Sequence, residues 1–210
     1  MHKKALPKGS EKLLMRFEKK SSFELAGWVL AGGTGLALQI GHRVSEDFDF
    51  FRTDKYQIKR LHETVKEIGT YETLQEDDKT LTVMVSGIKT SFFCVPDPFI
   101  FKTIPYRFFS IADIRDIALM KLIAISGRGS KKDFIDLYAI LRKKITLQEL
   151  VGLVPRKYGS GRANIYHILK SLTYFDDAEK EPVPRMLEPF NWNECRNFFI
   201  RQSHRMILMV

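Results

Sequence analysis

Asp47 and Asp49 stand two residues apart in Asp47-Phe48-Asp49-Phe50-Phe51. On a strand, side chains alternate between faces, so the two carboxylates share one face while Phe48 and Phe50 point into a core. Carboxylates held side by side repel each other unless a cation lies between them. Upstream, Gly32-Gly33-Thr34 follows the apolar run Trp28-Val29-Leu30-Ala31. A glycine turn at a helix N-terminus offers backbone N–H groups with no Cβ in the way, which makes it an anion cradle. A phosphate cradle beside a divalent-cation site is the minimum equipment for nucleotidyl transfer. Mg²⁺ suits it, being a hard cation that takes few protein oxygens and leaves positions for a triphosphate.

A second group of polar residues lies downstream: Asp116, Lys121, Arg128, Lys132, Asp133 and Asp136. Asp133 and Asp136, three apart, share one helix face. Lys121 falls on the same side of its helix as Ile117 and Ile125, which shelters its ammonium. Two readings are open. Salt bridges could tie two helices together, or the group could bring cations and acids to the base, ribose or phosphates of a nucleotide. Other chemistries lack their residues. There is no His-Glu-x-x-His, no Cys-x-x-Cys and no Gly-x-x-x-x-Gly-Lys-Ser/Thr. Gly32-Gly33-Thr34-Gly35 could mimic a dinucleotide fingerprint, but the third glycine is missing near Leu38 and no βαβ repeat follows. His42, the only histidine beside the first group, reads as structural.

These residues need elements to hold them. A helix is expected over residues 10–20, capped by Ser10, with Leu13, Leu14 and Phe17 as its apolar face and a break at 21–24. Trp28–Ala31 reads as a strand, 32–41 as turn and helix, and 47–51 as a second strand. Residues 55–68 form an amphipathic helix, with Ile58, Leu61, Val65 and Ile68 on one face and Gly69 as its stop. Three strands follow at 71–75, 80–85 and 88–95, the last two joined by a Ser86-Gly87 hairpin. Pro96, Pro98 and Pro105 then break regular structure and mark a domain exit. Helical patterns cover 111–125, opening at Ser110, then 131–143, 146–154 with Thr146 as cap, 165–174 and 191–200, with a loop at 176–185. The fold class is therefore α+β, a small mixed sheet followed by a helical C-terminal part. Its two domains are 1–108 and 109–210.

Composition sets the bounds. In 210 residues, 44% hydrophobic with sixteen Phe, there is enough apolar surface for a true core. No apolar run reaches the roughly 18 residues of a membrane span, so no membrane association is expected. The basic N-terminus lacks the apolar stretch of a secretory signal. Cys94 and Cys195 are far apart, which fits a reducing compartment without disulfides, and a cytoplasmic location. A net charge of +9 favours phosphate-rich partners, nucleotides or nucleic acid.

The run Gly32-Gly33-Thr34-x-Leu36-Ala37-Leu38-x-x-Gly41-His42-Arg43-x-Ser45-x-Asp47-x-Asp49-Phe50-Phe51 resembles the opening motif of the AbiEii-type nucleotidyltransferases. These are the toxins of type IV toxin–antitoxin and abortive-infection systems and include the MenT group. Met120-Lys121-x-x-Ala124, with Arg128-Gly129-x-x-Lys132-Asp133-x-x-Asp136-Leu137-Tyr138, is similar to the family's second block. The resemblance covers roughly residues 26–142. It implies a polymerase β-like nucleotidyltransferase core, Mg²⁺ as cofactor and a nucleoside triphosphate as substrate. Asp47 and Asp49 would be the metal ligands and, with Lys121 and Asp133, the catalytic set. Gly32, Gly33, Thr34, Arg43, Ser45, Arg128, Lys132 and Asp136 would bind the nucleotide.

The acceptor implied is RNA, tRNA ends in MenT-like members, or protein, and the implied partner is an antitoxin encoded nearby. One departure follows. The wider superfamily places a third metal-binding acid on a strand after the hairpin, and that position looks like Ser91 here. Two alternatives arise: a nucleotide-binding regulatory protein with weakened chemistry, and a non-catalytic RNA-binding module.

Overall fold

The computed structural model describes residues 1–20 and 25–208. They fall into two compact units, Met1–Asp113 and Ile114–Val210. The break expected at 21–24 lies outside the described residues.

In the first unit, a short 3₁₀ turn at Lys3–Ala5 precedes helix α1 (Ser10–Lys20). Leu13, Leu14 and Phe17 are buried as the periodicity requires. Ser10 is not the cap. The Leu13 N–H bonds the Gly9 carbonyl, so the helix starts one residue earlier, and Ser10 Oγ is buried without a partner. Strand β1 (Val29–Leu30) leads directly into helix α2 (Gly32–Ile40), which Gly41 ends in the left-handed region at φ 66°. Strand β2 (Phe48–Arg52) follows, then helix α3 (Ile58–Lys66). Strands β3 (Tyr71–Asp77), β4 (Thr80–Val85) and β5 (Ile88–Cys94) complete the stretch read from sequence. Ser86 and Gly87 both have positive φ, 50° and 77°. A two-residue turn of this kind matches the twist of the strands it joins.

The domain exit expected from Pro96 to Pro105 runs into two further strands, β6 (Ile104–Tyr106) and β7 (Phe109–Ile111), joined through Arg107 and Phe108. The helix read from Ser110 begins only at Ile114. The sheet order is β3-β4-β5-β2-β1-β7-β6. It is mixed: β2 and β5 are parallel, as are β1 and β7, and the other neighbours are antiparallel.

Register decides what each face carries. Phe50 pairs with Phe92 and Phe92 with Leu81, a row that is wholly apolar. The Phe50 and Phe92 rings stack at 5.4 Å, and Trp28 meets Phe92 edge-on at 5.0 Å. The adjacent row is Asp49, Ser91 and Thr82. The core thus lies on one face of the central strands and the polar row on the other.

The second unit is helical: α4 (Ile114–Arg128), α5 (Lys131–Lys143), α6 (Leu147–Tyr158), α7 (Ile165–Ser171), α8 (Asp176–Lys180) and α9 (Trp192–Ile207). Thr146 caps α6 in a reciprocal box: its hydroxyl accepts from the Glu149 N–H, and the Glu149 carboxylate accepts from the Thr146 N–H. The 176–185 stretch is not all loop, because Asp176, Asp177 and Glu179 suit the positive end of a short helix. Phe134 packs against Phe175 and Phe199 in this unit's core. Cys94 and Cys195 are both free thiols. Burial pushes the Cys195 thiol pKa up. No helix among the described residues is long and apolar enough to cross a membrane.

Candidate functional site

The Gly-Gly-Thr turn and the acidic strand meet around Gly32. Helix α2 starts immediately after β1, with no side-chain cap and no acid in its first turn. The opening N–H groups of a helix have no partner within it and carry its positive dipole end. The Ala31 N–H bonds the Asp49 carbonyl, so β2 runs alongside the entry to the helix. Gly32 has φ 59°, and a Cβ on it would stand 2.7 Å from Asp49 Oδ2. The carboxylate fits because residue 32 has no side chain.

Asp49 is half-buried in a strand whose neighbours Phe48 and Phe50 are both 1% exposed. Asp47 sits one residue before β2, also half-buried and on the parity of Asp49. Across the sheet, Ser91 occupies the position beside Asp49. It is buried, and its hydroxyl accepts from Thr82 at 3.2 Å. The position beside Asp49 on β5 is therefore neutral. Among the described residues, no cluster of three or more His, Cys, Asp or Glu could hold a metal. What remains is a pair of hard oxygen donors against a glycine that makes room for one of them. That donor set fits a Mg²⁺ ion, which keeps several positions for water and phosphate.

Thr34, Arg43 and Ser45 are placed differently from open phosphate contacts. Thr34 is 1% exposed, Arg43 3% and Ser45 7%. The Thr34 hydroxyl donates to the Asp47 carbonyl and is hydrogen-bonded to Ser45 Oγ at 2.9 Å. It therefore ties the segment carrying Asp47 to the first turn of α2. A Cβ on Gly33 would collide with the Arg43 guanidinium and approach Ser45 Oγ to 2.8 Å. The guanidinium thus lies against the positive end of α2, and Nη1 donates to the Val44 carbonyl at 2.9 Å. A cation at that helix end adds to its attraction for an anion.

The second unit brings Lys121, Arg128, Asp133 and Asp136 together. Lys121 Nζ lies 2.7 Å from Asp133 Oδ1 and 2.6 Å from Asp136 Oδ2. Arg128 donates from Nε to Asp133 Oδ2 at 2.7 Å and from Nη2 to Oδ1 at 3.1 Å. The two Asp residues and Lys121 are buried. Lys132 is exposed and makes none of these contacts. The network joins α4 to α5, as salt bridges between helices would.

The sequence reading misses a parallel pair, Lys157 Nζ on Asp116 Oδ1 at 2.8 Å, with the residues 5% and 0% exposed. Its signal is there, since Lys157 continues the buried stripe Leu147, Leu150, Val154 of α6. A lysine at an apolar position of a stripe points to a buried acid.

Burial alone would push the Asp133 pKa up, but Lys121 and Arg128 outweigh it and hold it below the ordinary 3.8. Burial likewise opposes the charge on Lys121, and Asp136 and Asp133 overcome it, holding its pKa above 10.5. The signs are opposite. Asp133's contribution to stability is complete above its unfolded value of 3.8 and is lost as pH falls through its depressed pKa. Lys121's is complete below 10.5 and is lost as pH rises through its raised pKa. Urea midpoints read by circular dichroism across pH should show no loss from this network between those two values. A drop centred near neutrality would assign the pH dependence to other groups.

Solved structures with similar folds place the architecture. A candidate nucleotidyltransferase from H. pylori aligns over 93% of this chain and 92% of its own, with TM-score 0.60 and 19% identity. MenT4, a nucleotidyltransferase toxin from Mycobacterium tuberculosis H37Rv, aligns over 92% of this chain and 80% of its own, with TM-score 0.56 and 15% identity. The class is thus the α+β fold of nucleotidyltransferases. In sequence, an uncharacterized protein of Aquifex aeolicus (strain VF5) is 41% identical over 182 residues, 82% of this chain and 84% of that protein. The family model for the nucleotidyl transferase AbiEii toxin of type IV toxin–antitoxin systems matches residues 13–202. The chain belongs to this family of nucleotidyl transferase toxins.

Proposed function

We propose that this protein transfers a nucleotide from a nucleoside triphosphate to an acceptor hydroxyl, with RNA as the acceptor class, at the site built by Gly32, Gly33, Asp47 and Asp49. One observation carries the reading: the Asp49 carboxylate nests on Gly32 at the uncapped, positive start of α2. Asp47 and Asp49 would hold Mg²⁺, which supplies positive charge to the polyphosphate when bound. The first turn of α2 binds and orients phosphate, and the buried Arg43 guanidinium against Gly33 adds positive charge to that helix end. Thr34 and Ser45 hold the Asp47 segment in place. The acceptor oxygen bonds to the α-phosphorus as the bridge to the β-phosphate breaks, so pyrophosphate leaves. The hydroxyl proton passes to solvent, since Ser91 beside Asp49 is no base.

The net charge of +9 supports an RNA acceptor. As a type IV family member, the chain would be restrained by a cognate antitoxin and would act in the cytoplasm. Ser91 favours a second reading, tight nucleotide binding with little turnover.

The test is incubation with each common α-phosphate-radiolabelled NTP, Mg²⁺, and either total RNA or total protein. Labelled RNA that disappears with a chelator is the expected result. Labelled protein would move the acceptor class. Tight NTP binding by calorimetry with no labelled product would establish the second reading instead.

A further inference from the structure

The second unit carries a charge asymmetry that the nucleotide site does not use. No Asp or Glu occurs between Glu149 and Asp176, in a chain whose acids number 25 in 210 residues. The stretch holds Arg156, Lys157, Arg162 and Lys170, together with His167, Tyr158 and Tyr166. Lys157 is spent on the buried Asp116. Arg156, Arg162, His167 and Lys170 are all exposed.

Tyr166 is 61% exposed on α7. Between α6 and α7 runs Gly159-Ser160-Gly161, with φ of 86° and 80° at the two glycines. Side chains are small here, so the backbone can be approached closely. Arg162 folds back over this turn, and a Cβ on Gly159 would lie 3.3 Å from its Cδ. Exposed cations interleaved with an exposed aromatic are what a single-stranded nucleic acid needs. The cations follow the phosphates and the ring takes a base. An acidic protein surface would be served by the cations alone and would leave the ring unexplained.

We propose that the α6–α7 surface, from Arg156 to Lys170, binds single-stranded RNA, with Tyr166 as a stacking platform and Arg156, Arg162 and Lys170 as phosphate contacts. This rests on the RNA-acceptor reading above.

The probe is a fluorescein-labelled single-stranded RNA oligonucleotide, read by anisotropy with the full-length protein in the absence of NTP and Mg²⁺ over a salt series. Arg156→Ala/Arg162→Ala/Lys170→Ala should weaken binding and reduce the slope of log K against log salt by about 2, near 0.7 per phosphate contact on single strands. Tyr166→Ala should weaken it by about 5- to 150-fold, and Tyr166→Phe should restore it, since stacking needs only the ring. Lys8→Ala/Lys12→Ala/Lys59→Ala removes the same charge from exposed positions elsewhere and serves as the control. Thermal melts of each variant report folding.

The proposal is overturned if the first triple variant binds like wild type, which would leave the surface to an acidic protein. Equal weakening by the control triple overturns it too, since net charge alone would then explain the binding. The two readings fail separately. RNA binding that maps to α6–α7 without nucleotide transfer removes the proposed function and leaves this surface. Transfer to RNA that the α6–α7 variants leave unchanged, with their RNA binding also unchanged, does the reverse.

Discussion

Asp49→Asn is expected to lower nucleotide transfer by at least about 10³-fold while leaving the protein folded. The substitution keeps the shape that nests on Gly32 and removes only charge. Loss of one well-placed electrostatic group costs about 10²–10³ in rate, and weakened hold on a metal ion adds to that. The site has little to fall back on, because the neighbouring strand offers Ser91 instead of a third acid. Two readouts separate the cause from misfolding. Incorporation of radiolabelled nucleotide should fall, and raising Mg²⁺ should recover little of it. The thermal midpoint in a chelator should stay level or rise, since one of two repelling carboxylates is gone. Transfer within about tenfold of wild type would remove Asp49 from the reaction.

Lys121→Ala should destabilise the protein by about 3–5 kcal/mol, measured by urea unfolding, because it removes the ammonium shared by two buried carboxylates. That is a large part of the roughly 5–15 kcal/mol that holds most domains together. The resemblance assigns Lys121 and Asp133 catalytic places, while the contacts of Lys121 with Asp133 at 2.7 Å and with Asp136 at 2.6 Å describe a tie between α4 and α5. The triple variant Lys121→Met/Asp133→Asn/Asp136→Asn distinguishes the two. Neutral groups of similar volume should restore most of the lost stability. If transfer returns with stability, the network is structural. A stable but inactive triple variant would place it in the chemistry.

Much of this was legible where local pattern and tertiary environment agree. Residues 80–85 and 131–143 have the alternation and the helical stripe that their burial demands, and they form β4 and α5 at those bounds. The Ser86-Gly87 turn follows from small residues between two alternating runs. Strands β6 and β7 were not legible. Each is three residues long, too short for a period, and Pro105 reads as a breaker although it sits on an edge strand, where no N–H is needed. Ile111 extends the helical apolar spacing of 114–125, so periodicity alone carries the helix into β7, whereas α4 starts at Ile114.

In the site, Asp47 lies one residue before β2, and the common parity of Asp47 and Asp49 follows from their spacing. The inward burial of Thr34, Arg43 and Ser45 does not, because it depends on how α2 folds back against the segment before β2. Nothing in residue spacing distinguishes a hydroxyl that meets phosphate from one that ties two segments together.

Strand β1 is two residues long and lies between β2 and β7. Ser110 and Ala112 donate their N–H groups to the carbonyls of Trp28 and Leu30. Such a short strand has little stability until both flanks are paired, and its second flank is encoded some eighty residues later. During synthesis, the turn at Gly32 therefore stays unsupported until residue 112 has left the ribosome. A nascent or truncated chain ending earlier would carry every residue of the cradle and both acids, yet would lack the strand that fixes their entry angle. The geometry of the cradle thus depends on a strand encoded far downstream of it.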